Sequence, residues 1–217
     1  MYEMPSVGVL FSGGKDSALS AILLRPFFDV ELVTITFGIN DSWKFAMESA
    51  RGIGFAWRKK KLPKYLLKKA VEIIIRDGFP RNGLNYIHKE SLRHLAEEYD
   101  FIADGTRRDD VSPKLTVSEI ASLEMSCNVG YITPLMGYGR KTLDTLVKKY
   151  LLVEEGESEI VNKSDYESEI REYLRKIWSE ELIYELFPTH IQSRVVGLKD
   201  QVITNGKEDC GSEEKAG

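Results

Sequence analysis

Two cysteines in 217 residues, Cys127 and Cys210, are too few for a disulfide framework and too far apart for a Cys-x-x-Cys knuckle. A zinc or iron–sulfur centre built by this chain alone is not expected. Histidine is also scarce, with three; His88 and His94 stand six residues apart, about 240° around a helix, and cannot share a metal. No apolar run reaches the roughly 18 to 20 residues of a membrane helix, because a charged residue interrupts each one. Met1-Tyr2-Glu3-Met4-Pro5 lacks the basic flank and apolar block of a secretory signal. The expected location is cytoplasmic, with no membrane contact. No internal repeat is seen.

What is present is an ordinary folding composition. With 42% of residues apolar and 29% charged, the chain can bury a normal core and is not a disordered polymer. Thirty Lys and Arg against 34 Asp and Glu leave a formal charge of −4. β-rich apolar runs recur at residues 7–11, 31–37, 55–62, 101–103 and 130–133. Between them apolar residues return every three to four positions, which predicts helices near 16–24, 42–51, 63–76, 85–98, 118–127 and 141–151. Such alternation indicates a doubly wound α/β fold with a mainly parallel, five-stranded sheet. The 63–76 helix is the best delimited, opened by Pro63 and stopped by Gly78 and Pro80.

The composition changes over residues 154–164, an acidic stretch with Gly and Ser that reads as a linker. After it, Tyr166, Ile170, Tyr173, Leu174, Ile177, Trp178 and Ile183 fall on one stripe, so 165–187 is expected to be one amphipathic helix. The implied organisation is an α/β unit over residues 1–152, a helical C-terminal extension over 153–198 and a frayed tail over 199–217.

The strongest signal is Val7-Gly8-Val9-Leu10-Phe11-Ser12-Gly13-Gly14-Lys15-Asp16-Ser17, an apolar strand running into a glycine turn and then a helix. Paired glycines let backbone N–H groups close on an anion. The helix start adds unpaired donors and the positive end of its dipole, while Ser12 and Ser17 add hydroxyls. A Walker A loop does not fit. Gly8 to Gly14 encloses five residues rather than four, Asp16 follows Lys15, and the register from Gly13 gives no Lys-Ser/Thr pair. A carboxylate beside phosphates becomes useful once a divalent cation lies between, which makes Asp16 a candidate magnesium ligand.

Ser12-Gly13-Gly14-Lys15-Asp16-Ser17 resembles the S-G-G-x-D-S signature of the PP-loop ATP pyrophosphatase superfamily. The resemblance implies ATP and Mg2+ as cofactors, cleavage between the α and β phosphates, transfer of AMP to an acceptor oxygen and release of pyrophosphate. It also implies the sheet order 3-2-1-4-5. A second patch, Asp104-Gly105-Thr106-Arg107-Arg108-Asp109-Asp110, ends another strand and could face the first turn across the crevice. Arg107 or Arg108 could offset phosphate charge, and Asp109 or Asp110 could hold the metal. Gly105-Thr106-x-x-Asp109-Asp110 is similar to the G-T-N-x-D-D segment of the superfamily branch active in lactate racemase maturation, and more loosely to NAD synthetase. In that likeness Lys141, after Gly139-Arg140, is a second phosphate contact. Two departures stand out: Arg107 stands where Asn is usual, and no cysteine occurs in the region just after Leu152, so sulfur donation from this chain is not expected.

By position, the loop Phe37-Gly38-Ile39 would lie beside the adenine, with backbone groups of Phe37 and Ile39 reading the base. The segment 187–194 gathers His190, Gln192 and Arg194 and could fold over the crevice as a lid touching the acceptor. Cys127 is expected to be a buried structural thiol. Trp57-Arg58-Lys59-Lys60-Lys61 is the one dense basic run, yet the acidic net charge does not favour RNA.

The resulting expectation is an adenylating enzyme whose acceptor is a small molecule or nucleobase. A donor protein supplying amine or sulfur and a homodimer are further partner expectations. The alternatives are a non-catalytic module that holds adenine nucleotide, and a tRNA-modifying enzyme of the thiolation type.

Overall fold

The computed structural model describes residues 4–158 and 160–199. Strand β1 (Ser6–Leu10) lies at the centre of a five-stranded parallel sheet, paired with β2 (Asp29–Thr36) on one side and β4 (Phe101–Ala103) on the other. β3 (Ala56–Lys61) flanks β2 and β5 (Gly130–Ile132) flanks β4, giving the order β3-β2-β1-β4-β5. The expected doubly wound sheet is therefore present. Its order reverses between β1 and β4, where open α/β sheets place their ligands.

The period of two along the strands sorts side chains to opposite faces. Val7, Val9, Val30 and Leu32 pack against Ala18, Leu19 and Leu24 of α1 (Lys15–Leu24) and Ala46, Ala50 and Ile53 of α2 (Trp43–Ile53). Leu10, Val33, Ile35 and Ile102 face the other core, built from α3 (Lys64–Asp77), α4 (Arg81–Leu95) and α5 (Val117–Cys127). Gly78 ends α3 with φ +71, the left-handed stop expected of it. After β5 a single 3-10 turn (Pro134–Gly137) leads to α6 (Arg140–Tyr150).

The remaining segment differs from its sequence reading in two places. Residues 154–157 of the expected linker instead belong to strand β6 (Leu151–Glu157), antiparallel to β7 (Ile191–Leu198). Acidic residues and a glycine disguise it locally; its strand character comes from a partner some 40 positions away. The expected single helix is two, α7 (Tyr166–Leu174) and α8 (Glu180–Leu186). Ser179 opens the second with extended backbone, and Glu180 and Glu181 follow in its first turn. One stripe spans the break because Ile170, Leu174, Ile183 and Phe187 all dock on the same core. The extension thus carries the expected helices plus a strand pair. It lies close on the first unit: a Cβ at Gly52 of α2 would sit 2.3 Å from the Val196 carbonyl oxygen of β7.

Cys127 is half-buried rather than fully enclosed, at the rim of the second core. Cys210 and all of the tail after Lys199 lie outside the described residues. No helix among those described is long and apolar enough to cross a membrane.

Candidate functional site

β1 ends at Leu10 and α1 starts at Lys15, so residues 11–14 form the turn between them. Gly13 has φ +85, a conformation that L side chains rarely adopt, and a Cβ there would lie 3.3 Å from the Ala46 Cα. The carbonyls of this turn are committed: Ser12 O accepts from the Ser164 N–H (2.9 Å) and Gly13 O from the Val195 N–H (2.8 Å). Those bonds hold the turn from behind. The N–H groups of Lys15, Asp16 and Ser17 belong to the first helical turn, which offers them no internal carbonyl. They open onto a cavity of about 350 Å³ lined by Ser12, Gly14, Lys15, Asp16 and Ser17 on one wall.

The loop after β4 makes the facing wall. Gly105 lies so close to α1 that a Cβ would meet the Ser17 N at 2.6 Å, which explains glycine at that position. Thr106 is buried and lines the cavity with Gly105 and Asp110. Arg107 donates from Nη2 to Asp110 Oδ1 at 2.8 Å, and its guanidinium lies 3.8 Å from Asp16 and 3.9 Å from Asp109. Three expected metal-binding carboxylates thus surround one cation, an arginine. Burial pushes the Asp16 carboxyl above its ordinary range; the positive charge of Arg107 works against this, and the nearby Asp110 adds to it. Three carboxylates against one guanidinium leave this cluster two charges short of balance. A divalent cation would fit this donor set once Arg107 turned toward an anion, and Asp16, Asp109 and Asp110 are the groups that would hold it. Among the described residues no group of three or more acidic, Cys or His side chains stands preassembled as a metal cage.

Lys15 is likewise paired, with Glu155 of β6 at 2.8 Å. The hydrogen bond and charge of Lys15 lower the Glu155 carboxyl below its ordinary value. Lys141 is exposed on the first turn of α6 and does not line the cavity, while Arg108 lies against Gly139 just before it.

The expectation for Phe37 needs correction. Its N–H and that of Ile39 donate to the Glu169 carboxylate of α7 at 2.8 and 2.9 Å, and Thr36 adds its hydroxyl at 2.9 Å. Glu169 is 3% exposed, so in this structure these donors are not open to a base. Phe37 itself is fully buried and does not line the cavity. The segment with His190, Gln192 and Arg194 is also only partly as expected. His190 and Ser193 line the cavity. Gln192 donates to the Ser158 and Val161 carbonyls, and Arg194 pairs with Glu48 at 3.3 Å and Glu154 at 3.0 Å. Pairing as a β-strand carries these two side chains to partners other than the β1–α1 turn.

The cavity also holds polar residues that the sequence did not mark as part of a site, among them His88, Asp104, Lys163 and Tyr166. His88 Nε2 and the Tyr131 hydroxyl meet Asp104 Oδ2 at 2.8 and 2.7 Å, and the Thr106 N–H donates to Oδ1 at 2.9 Å. Asp104 stands directly after β4 and before Gly105, a place that could have flagged it. Lys163, paired with Asp165 at 3.3 Å, carried no local signal.

Comparison with known proteins places the chain as follows. An uncharacterized protein of Methanocaldococcus jannaschii, MJ0690, is 46% identical over 201 residues, spanning 92% of this chain and all of that one. A crystal structure from the same organism, described as a predicted subunit of tRNA methyltransferase, is 46% identical with a TM-score of 0.83, covering 90% of this chain and 98% of its own. The tRNA thiolase NcsA of Methanococcus maripaludis is more distant: 21% identity, a TM-score of 0.49, and coverage of 68% of this chain and 57% of that one. A model described as a family of unknown function (DUF7411) matches residues 5–197, and the chain belongs to that family.

Proposed function

We propose that this chain is an ATP pyrophosphatase. It would bind MgATP on residues 12–17, transfer AMP to an oxygen of an acceptor and release pyrophosphate, after which a nitrogen or sulfur nucleophile displaces AMP. The observation that carries this reading is the first turn of α1, whose free N–H groups open onto a cavity at the point where the strand order reverses. The motif's likeness to the PP-loop signature supplies the choice of bond broken.

In this reading Gly13 and Gly14 let the backbone close on the β and γ phosphates, and Ser12 and Ser17 add hydroxyl donors. Donors fixed in advance in this way favour the charge that builds on departing pyrophosphate. Lys15 leaves Glu155 for the phosphates, and Arg107 does the same from Asp110. Lys163 approaches from the C-terminal segment, and Lys141 is a further contact if the nucleotide reaches the rim. Magnesium held by Asp16 with Asp109 or Asp110 supplies further neutralisation of phosphate charge. Gly105 and Thr106 form the opposite wall. Residues 1–152 would serve as the nucleotide-binding unit and 153–198 as the element closing over it, with His190 nearest the acceptor.

The test is product analysis of MgATP turnover. AMP and pyrophosphate are expected; ADP and phosphate would overturn the reading. Asp16→Asn should keep the fold and cut turnover by roughly 100-fold or more, within the range for lost electrostatic stabilisation. Gly14→Val, whose Cβ stands 3.3 Å from Ser12 Oγ, should abolish nucleotide binding in calorimetry.

A second reading is favoured by one observation, the description of the 46% identical M. jannaschii structure as a predicted tRNA methyltransferase subunit. Carried to this chain, it makes tRNA a candidate acceptor and a protein subunit a candidate partner. Filter binding of bulk tRNA across a salt series decides it, because phosphate-driven association weakens steeply as salt rises.

A further inference from the structure

We propose that Tyr166, His88 and Asp104 form a proton relay in the wall of the nucleotide cavity, and that the acceptor is a neutral molecule that gives up a proton on nitrogen or oxygen, not a carboxylate. The proposal rests on the adenylation reading and adds to it the base and the substrate class.

The cluster brings together four elements. His88 comes from α4, Asp104 from the end of β4, Tyr131 from β5 and Tyr166 from the start of α7. Asp104 is 2% exposed, and His88 5%. Burial alone would raise the Asp104 carboxyl, but hydrogen bonds from His88, Tyr131 and the Thr106 N–H outweigh it and hold it below its ordinary value. An ionised Asp104 fixes the proton of the imidazole on Nε2, which leaves Nδ1 as an acceptor. The Tyr166 hydroxyl lies 3.4 Å from that Nδ1, a long contact of the kind that tightens when substrate binds. Burial raises both tyrosine hydroxyls above their ordinary range, so both remain protonated donors.

This arrangement is more than a buried tie between helices. A buried polar pair is weak as a source of stability, yet here hydroxyl, imidazole and carboxylate form one line of contacts, and all three residues line the cavity. The same cavity contains Ser12, Lys15 and Asp16. The other charged or imidazole groups on its walls, Lys15, Asp16, Asp110, Lys163, Asp165, Glu167 and His190, make no hydrogen bond to the imidazole among the described residues.

The step balances for an amide or lactam acceptor. Its carbonyl oxygen forms a bond to the α phosphorus, and the bond from that phosphorus to the bridging oxygen breaks, with the electron pair leaving on pyrophosphate. The acceptor N–H proton passes to the Tyr166 oxygen as the Tyr166 proton passes to His88 Nδ1. The N–H electron pair becomes the C=N bond. The imidazolium that results faces the Asp104 carboxylate, which stabilises it as a buried carboxylate does beside any catalytic imidazole. A carboxylate acceptor has no proton to lose and would be brought toward the negative charge of Asp104.

The experiment measures pyrophosphate release from MgATP between pH 5 and 9. Uridine, acetamide and the bases of bulk tRNA serve as neutral acceptors, with acetate and glutamate as carboxylates. Neutral acceptors alone should stimulate release. His88→Gln should lower the stimulated rate about 100-fold and change the shape of its pH profile. Tyr166→Phe, which deletes one oxygen and spares the packing, should lower it about 10-fold and remains informative if the His88 variant fails to fold. Stimulation by carboxylates alone, or wild-type rates and pH profile in both variants, would overturn the relay. If the unsubstituted protein binds MgATP and yields no pyrophosphate with any acceptor, the adenylation reading itself falls, a result visible without any variant.

Discussion

The parallel sheet and the C-terminal strand pair meet at the same cavity, yet they contribute to it in opposite ways. The sheet supplies backbone: free N–H groups at α1 and the close turn at Gly105. The C-terminal segment supplies groups, from side chain and backbone, that occupy what the sheet offers. Glu155 takes Lys15, Glu169 takes the Phe37 and Ile39 N–H groups, and the Ser164 and Val195 N–H groups take the turn's carbonyls. One region sets the geometry of an anion site; the other sets its occupancy. Substitutions in the two regions should therefore fail differently.

The largest effect belongs to the sheet. A Cβ at Gly105 would come within 2.6 Å of the Ser17 N and 2.9 Å of the Ser17 Cα, and backbone cannot move aside as a flexible side chain would. Gly105→Ala should cost about 1–3 kcal/mol, the range for overpacking and backbone clash, and should lose nucleotide binding with it. Urea unfolding measures the first and calorimetry the second. A variant of normal stability and affinity would show that the two walls are not in fixed register.

Next is Glu169. Its removal as Glu169→Ala leaves two backbone N–H groups and the Thr36 hydroxyl without their acceptor in a buried site, a loss of roughly 1–3 kcal/mol. The loss should fall on the docking of α7 rather than on the sheet. Hydrogen exchange should rise in α7 and at the end of β2 while β1 and β4 stay protected. Uniform loss of protection would mean that the two regions unfold as one.

These two positions also show what the sequence made legible. Gly105 was readable because its demand is local: a strand, a turn, a close backbone. The same holds for residues 12–17, for Gly78 and for all five sheet strands, whose periodicity lies within each element. Glu169 was not readable, since it is one acidic residue on an acidic helix and its partners lie some 130 positions away. β6 was unreadable for the same reason, being a strand only through β7. His88 and Asp104 are 16 apart, and each looks ordinary until α4 and β4 are packed. The break between α7 and α8 had a signal in Ser179-Glu180-Glu181, but the apolar stripe ran through it. The half of the cavity made by local turns could be read, and the half made by long-range side-chain pairing could not.

A smaller effect is expected at Glu155. Glu155 is more than half exposed, so its pair with Lys15 contributes about 0.2–1 kcal/mol at most. Glu155→Gln should nevertheless tighten MgATP binding by roughly two- to five-fold at low salt. It frees Lys15 and removes a negative charge beside the phosphates. The gain should fade by about 0.5 M salt as screening sets in. Weaker binding in the variant would mean that Glu155 positions Lys15 for phosphate instead of competing for it.

The smallest effect is on stability, at Asp16, and its sign runs against the usual one for a carboxylate. The folded protein holds the Asp16 proton more tightly than the unfolded chain, whose value is near 3.8, because burial outweighs the nearby cations. Between 3.8 and the raised folded value the native state binds more protons, so stability falls as pH rises through that window. Above it the penalty is constant. Asp16→Asn removes the penalty and should melt slightly higher than the wild type at pH 7, with the difference shrinking as pH falls toward 3.8. The same variant is the one expected to lose turnover. A carboxylate that costs stability where it stands and is needed for chemistry belongs to a site held ready for a cation. An Asn variant that melts lower at pH 7 would instead make Asp16 a structural partner of Arg107, and the sheet's side of the cavity would then be as self-occupied as the other.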